Sequence, residues 1–230
     1  MDFKKGLCDG IPIGLGYFSV SVAFGVLAVQ GGLSFWEAAL ISLLNLTSAG
    51  QYAGLTIMVA GGALVEMALS QLLINARYSL MGISLSQKLD KRFTIPYRLI
   101  FGFAITDEIF AVASGKKSVT RSYMAGLALL PIIGWTAGTV CGALLGGILP
   151  AVIQSALGVA LYGMFIAVVV PKAKEDREVL AVVGIAVLCS TLMCYLPLLK
   201  DVSDGFAVII CTCVAAALGA LLFTREEAED

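Results

Sequence analysis

Arg77, Asp107 and Glu108 are ionisable residues set inside apolar runs, Leu64–Gln87 for the arginine and Leu99–Ser114 for the two acids. A charge at the centre of a bilayer costs roughly 2.5–3.5 kcal/mol on insertion scales. Stability gives a chain little reason to keep such groups. The chemistry they suit is a polar pathway through a membrane, with opposite charges neutralising one another. Adjacent acids on a helix point about 100° apart, so Asp107 and Glu108 suit different tasks. One can pair with Arg77 while the other takes a proton or a cation. The competing assignment is a closed salt bridge that only fixes helix register. A second polar patch, Thr47 to Gln51, offers hydroxyls, an amide and the backbone of Gly50. Free N–H groups at a half-helix N-terminus there would hold a carboxylate. The alternative is that Thr47 and Ser48 only bond back to their own helix.

These groups need helices to position them. As a helix, Leu64–Gln87 puts Gln71, Asn75, Tyr78 and Ser79 on one face, within about 100°, and turns Arg77 roughly 160° from Asn75. The amides and the arginine therefore do not share one narrow groove unless the helix is unwound. Two designs follow. Either Arg77 ties to Asp107 or Glu108 on the neighbouring stretch, or Arg77 faces a cavity and the amides join helices together.

The rest of the chain supports a membrane setting. Of 230 residues, 59% are hydrophobic and 13% charged, and mean hydropathy is +0.95. Soluble domains carry about 45–50% apolar and 25% charged residues. The apolar stretches are Ile11–Val29, Ala38–Ala60, Leu64–Leu85, Leu99–Ala113, Met124–Leu149, Ala151–Val170, Val179–Leu196 and Phe206–Phe223. None alternates as a barrel strand does. The expectation is an all-α polytopic protein, one integral-membrane domain over residues 1–230. Ile11–Val29 reads as an uncleaved first span rather than a signal peptide. With no histidine in the sequence, imidazole catalysis and histidine proton relays are excluded. The 6 cysteines form no C-x-x-C pair and read as small apolar residues, so neither a metal site nor a cofactor is expected. No basic surface suggests nucleic acid, and no Walker A sequence suggests ATP use.

Lys and Arg placement sets the topology. Basic residues cluster at Lys4–Lys5, Lys88–Arg98, Lys116–Arg121, Lys172–Arg177 and Arg225. Eight full crossings would scatter these clusters over both faces. All of them become cytoplasmic if segments 36–61 and 99–114 are interrupted or re-entrant, which leaves about six full spans of some 20 residues each and both termini inside. The alternative for 36–61 is an ordinary helix with a polar face. Paired broken segments point to a transporter binding site. Gly134, Gly138, Gly142 and Gly146 recur every fourth residue, a spacing that lets helix backbones approach closely. Glu37 and Glu66 are placed near the outer interface without a role. Trp36 is read as an interface anchor, with Trp135 a second candidate.

Ser48-Ala49-Gly50-Gln51-Tyr52-Ala53, then Asn75-x-Arg77-Tyr78-Ser79-Leu80, then Thr106-Asp107-Glu108, in this order and spacing, resemble the AzlC family. The resemblance is most specific over Thr47–Phe110. It implies the large subunit of a two-component permease in the cytoplasmic membrane, exporting branched-chain amino acids by the proton gradient rather than ATP. It also implies a small hydrophobic partner, AzlD. The motif positions it marks are Gly50, Gln51, Asn75, Arg77, Asp107 and Glu108, with no chemical role attached to each. Many members carry histidine after the arginine, where this chain has Tyr78. On the residues and the resemblance together, the site lies near mid-membrane. Arg77 or the Thr47–Gln51 backbone takes the substrate carboxylate, and Asp107 or Glu108 takes the amine or a proton. An intramembrane enzyme, or a subunit that does not itself transport, are the rival readings.

Overall fold

The computed structural model describes residues 2–146, 148, 150, 152, 166, 169–171, 173–196 and 202–223. The expected span Ala151–Val170 and the basic residues Lys172, Lys200 and Arg225 lie largely or wholly outside them. The described chain is helical: α1 (Asp2–Gln30), α2 (Phe35–Leu44), α3 (Ala49–Val59), α4 (Leu64–Ser86), α5 (Ile95–Gly102), α6 (Asp107–Ser114), α7 (Arg121–Leu145), α8 (Arg177–Tyr195) and α9 (Asp204–Leu222). Of these, α1, α7, α8 and α9 are long and apolar enough to cross a membrane. Helix α4 has 23 residues, about 35 Å at 1.5 Å per residue, but carries Arg77 and its neighbouring amides.

The two short-helix pairs are the interrupted segments. Helices α2 and α3 break at residues 45–48, and α5 and α6 break at 103–106. Local chemistry starts each half-helix. Ser34 and Glu37 form a reciprocal capping box at α2, which satisfies two otherwise orphaned donors. The Thr106 hydroxyl accepts from the Ile109 N–H at α6, and the Thr120 hydroxyl accepts from the Tyr123 N–H at α7. Glu37 is thus a capping residue.

The chain forms two compact units, residues 1–55 with 74–161, and residues 56–73 with 162–230. The spine of the first is α1 against α7, meshed through glycines. A methyl group placed on Gly142 would land on the Val22 carbonyl, on Gly138 on the Phe18 carbonyl, and on Gly134 on the Gly14 carbonyl. The partners Gly10 and Gly14 of α1 would each meet a backbone oxygen of α7 at 2.8 Å. Gly146 lies at the end of this ridge, with ordinary contact to Val26 at 3.4 Å. Close backbone approach of this kind replaces hydrophobic driving force with dispersion, as helix association in lipid requires. One apolar cluster, including Ile109, Val119 and Leu127, lies under α5 and α6. Another, including Phe24, Leu46, Tyr52 and Trp135, lies under α2 and α3.

The segment 95–114 leaves and returns at one end of this unit. Leu89 and Val119 form a parallel bridge, with the Val119 N–H donating to the Lys88 carbonyl at 2.8 Å. The Lys88 ammonium donates to the Ser114 carbonyl. The start of α1 is tied to the same end, through Lys116 to Asp9 at 2.9 Å and Thr120 to Asp2 at 3.0 Å. The first three basic clusters therefore share one end, and the other end of α1 lies about 43 Å away by its 29 residues and the helical rise. Single cysteines at Lys91 and Lys117, in a chain freed of its native thiols, should both react with an impermeant maleimide from one face of the membrane. A cysteine at Gly32 should react from the other. Labelling of Lys91 and Lys117 from opposite faces would overturn this arrangement.

In the second unit α8 pairs with α9, Gly219 facing Val182. No residue in the apolar core of α8 is buried in the isolated chain, as expected of a surface that meets lipid or another subunit. Glu66 corrects the expectation of a cheap interfacial charge. It is 4% exposed, accepts a hydrogen bond from the Ser203 hydroxyl, and is enclosed by Gly62 and Gly205. Those glycines leave room for a carboxyl that sequence position alone placed near the outer interface.

Candidate functional site

Both breaks converge on the middle of α4. Thr106 ends the 103–106 break and caps α6, so Asp107 and Glu108 stand in the first turn, where the helix dipole favours carboxylates. Asp107 Oδ2 lies 2.7 Å from Arg77 Nη1. Glu108 turns away and accepts from the Tyr17 hydroxyl of α1. Tyr17 Oη is also 2.6 Å from Thr106 Oγ1. A phenol has one proton, so with that proton on Glu108 the Thr106 hydroxyl donates to Tyr17. The two adjacent acids thus serve different partners on different helices.

On α4, Arg77 also lies over the Tyr78 ring, 5.1 Å from its centroid. The Tyr78 hydroxyl is 3.4 Å from Arg77 Nη2 and 3.4 Å from the Thr47 carbonyl, long contacts to which it is acceptor and donor respectively. The site therefore gathers Tyr17, Thr47, Arg77, Tyr78, Thr106, Asp107 and Glu108. The Arg77 and Asp107 side chains are 44% and 47% exposed in the isolated chain. The pair is formed but reachable.

The other marked residues sit around this cluster. Ser48 is the only non-glycine residue with positive φ among those described, at 48°. Such a backbone costs of order 1–3 kcal/mol and gathers at functional sites. Its buried hydroxyl finds no partner among the described residues. Thr47 donates to Asn45 Oδ1 at 2.6 Å, and the Gly50 N–H donates to the Thr47 carbonyl at 3.3 Å. Gln71 belongs to the second unit, where its amide reaches Met67 Sδ at 4.0 Å. Asn75 is half-buried on α4.

Gln51 is engaged at both ends of its amide. Its Nε2 donates to Ser42 Oγ at 2.5 Å, and its Oε1 accepts from Trp135 Nε1 at 2.8 Å. Ser42 in turn meets Thr139 at 2.6 Å. This buried network ties α2 and α3 to α7. It also corrects the interface-anchor assignment for Trp135, which is 2% exposed because the amide supplies its N–H with a partner away from water. Trp36, by contrast, is 71% exposed. Gln51→Ala should cost about 1–3 kcal/mol, the penalty for stranding a buried donor. The midpoint of thermal unfolding in detergent should fall accordingly. No change would mean the network carries no weight.

Sequence reasoning missed Tyr17 and Trp135. A tyrosine and a tryptophan in the middle of apolar spans, each needing a partner for its polar atom, were the available signal. Their rings meet edge to face at 5.4 Å.

A protein-family model described as "AzlC protein" matches residues 12–149. Among curated proteins, the chain is 35% identical over 187 residues to an uncharacterized membrane protein of Archaeoglobus fulgidus, covering 80% of this chain and 82% of that one. It is 28% identical over 228 residues to inner membrane protein YgaZ of Escherichia coli (strain K12), covering 95% and 91%. It is 30% identical over 154 residues to an uncharacterized membrane protein of Helicobacter pylori (strain J99), covering 63% and 66%. No solved structure matches.

Proposed function

This chain belongs to the AzlC family, and from that premise we propose that it is the large subunit of a permease exporting branched-chain amino acids across the cytoplasmic membrane. The observation that carries the reading is the Arg77–Asp107 pair, closed at 2.7 Å yet nearly half exposed. A zwitterion can enter such a pair and exchange with it. The substrate carboxylate takes the guanidinium in the planar geometry arginine favours. The substrate ammonium takes Asp107. Gln51 holds the first break in place and does not touch the substrate. Aliphatic tails differing by one methylene are separated by only about 1–3 kcal/mol in an apolar pocket, so leucine, isoleucine and valine compete.

Glu108 is the proposed carrier of the coupling proton. Protonating it removes the charge to which Tyr17 donates and frees the α1 contact at the foot of the site. The exposed apolar flanks of α8 and α9, with Leu188 at 62% and Leu221 at 78%, support a small hydrophobic membrane subunit as partner. Both termini are then cytoplasmic, at the basic end.

Cells loaded with a leucine dipeptide, producing the chain with its small neighbour, should clear internal leucine faster than cells producing neither. Collapse of the proton gradient should abolish the difference. Normal leucine retention in cells where both subunits reach the membrane would refute export.

A further inference from the structure

A cavity of about 340 Å³ lies between the second half of α4, the start of α7, α5 and the loop joining α4 to α5. Its apolar walls include Leu85, Phe93, Phe101 and Met124. Its polar lining is Ser79, Ser86 and Arg98, with no acid among the lining residues. The cavity follows α4 from Ser86 to Ser79, about 10 Å by the helical rise. Its inner end is Ile105, next to Thr106 and Asp107. Leu89 and Phe93 of its lining are sequence neighbours of Lys88 and Arg92.

The Arg98 guanidinium uses Nε to donate to the Phe93 carbonyl at 3.2 Å. That bond orients the fork, and the terminal N–H groups make no hydrogen bond among the described residues. We propose that this cavity is a second binding site, taking a carboxylate that carries a short branched aliphatic tail. Arg98 holds the carboxylate through two parallel N–H bonds, and the tail lies on Leu85, Phe93 and Met124. The volume is at the small end of ligand pockets, roughly 300–1,000 Å³, and takes a six-carbon acid whole. Because no acid lines it, the cavity has no strong partner for an ammonium. It accepts a branched amino acid and its 2-oxo analogue alike. Its place as the loading site, one step before Arg77, rests on the export reading; the binding itself does not.

Calorimetry on the full chain in detergent, with L-leucine and with 4-methyl-2-oxopentanoate, tests this. Both acids should bind the unaltered protein. Arg98→Gln should weaken oxo-acid binding by roughly 10- to 100-fold, the effect of losing hydrogen bonds to a charged group, while leucine keeps the Arg77–Asp107 site and loses its second, Arg98-dependent component. Gly82→Leu is an independent block, since a Cβ at Gly82 meets nothing within 4 Å and a larger side chain fills the space without strain. It should abolish oxo-acid binding, while Lys91→Gln should leave it intact. Oxo-acid binding unchanged in both Arg98→Gln and Gly82→Leu overturns the proposal, as does no binding of either acid. So does displacement of both acids by anionic phospholipid in nanodiscs, which would assign the cavity to lipid. If leucine binding is lost in Arg77→Gln but not in Arg98→Gln, this proposal falls and the export reading stands. If Arg98→Gln weakens oxo-acid binding but the unaltered protein moves no leucine, the cavity stands and the export reading falls.

Discussion

Gly142→Leu should leave no folded protein in the membrane. A side chain at Gly142 begins on the Val22 carbonyl of the facing helix, and a backbone carbonyl cannot rotate away as a flexible side chain can. Overpacking ordinarily costs about 1–3 kcal/mol, and here the α1–α7 spine itself has to separate. The loss should exceed that range and reach the 5–15 kcal/mol of a whole domain's stability. Even Gly142→Ala should lower the thermal midpoint sharply. Gly16→Ala and Gly184→Ala are the controls, since neither Cβ would meet an atom within 4 Å. Size-exclusion profiles of detergent extracts read the outcome. A monodisperse peak for Gly142→Leu, equal to that of Gly16→Ala, would show that the helices have more slack than the structure gives them.

Arg77→Ala and Asp107→Asn should each reduce leucine export at least tenfold while the protein still reaches the membrane. A hydrogen bond to a charged group is worth about 1.5–3 kcal/mol, and the half exposure of this pair argues for the lower part of that range. The charge reversal, Arg77→Asp with Asp107→Arg, separates transport from scaffolding. If the pair only fixes register, the reversed pair restores function. If it handles a zwitterion, the reversal does not, because the substrate would have to bind turned end for end, with its aliphatic tail away from the pocket that accepts it. Full export by the double variant would reduce Arg77 and Asp107 to a structural tie.

The helices and their breaks were legible because their causes are local. Thr106 before two acids is a helix start, and Asn45 to Ser48 is too polar to continue a buried helix. The two orientations left open for Arg77 were not separable from α4 alone, because the side chain's partner lies 30 residues on, at the tip of another segment. The α7 glycine ridge was visible by its spacing. Its counterpart, Gly6, Gly10 and Gly14, has the same spacing, but sequence does not say which two ridges meet. Gln51 was marked by motif and placed in the pathway. Only packing reveals that its amide is consumed by Ser42 and Trp135. Glu66 was misplaced for a related reason: its enclosure is built by Gly205 and Ser203, far along the chain.

The paired feet at Leu89 and Val119 fix a further quantity. Each leg of the segment above them, α5 and α6, has 8 residues, or about 12 Å of helix. The ion pair at its tip therefore stands at most about halfway through a hydrocarbon core of some 30 Å. The protein, not the surrounding lipid, sets that distance from the basic face. A unit charge moving between that face and the tip traverses about half of the membrane's electric field. It is thus subject to roughly 1 kcal/mol per 100 mV, half the value for a complete crossing.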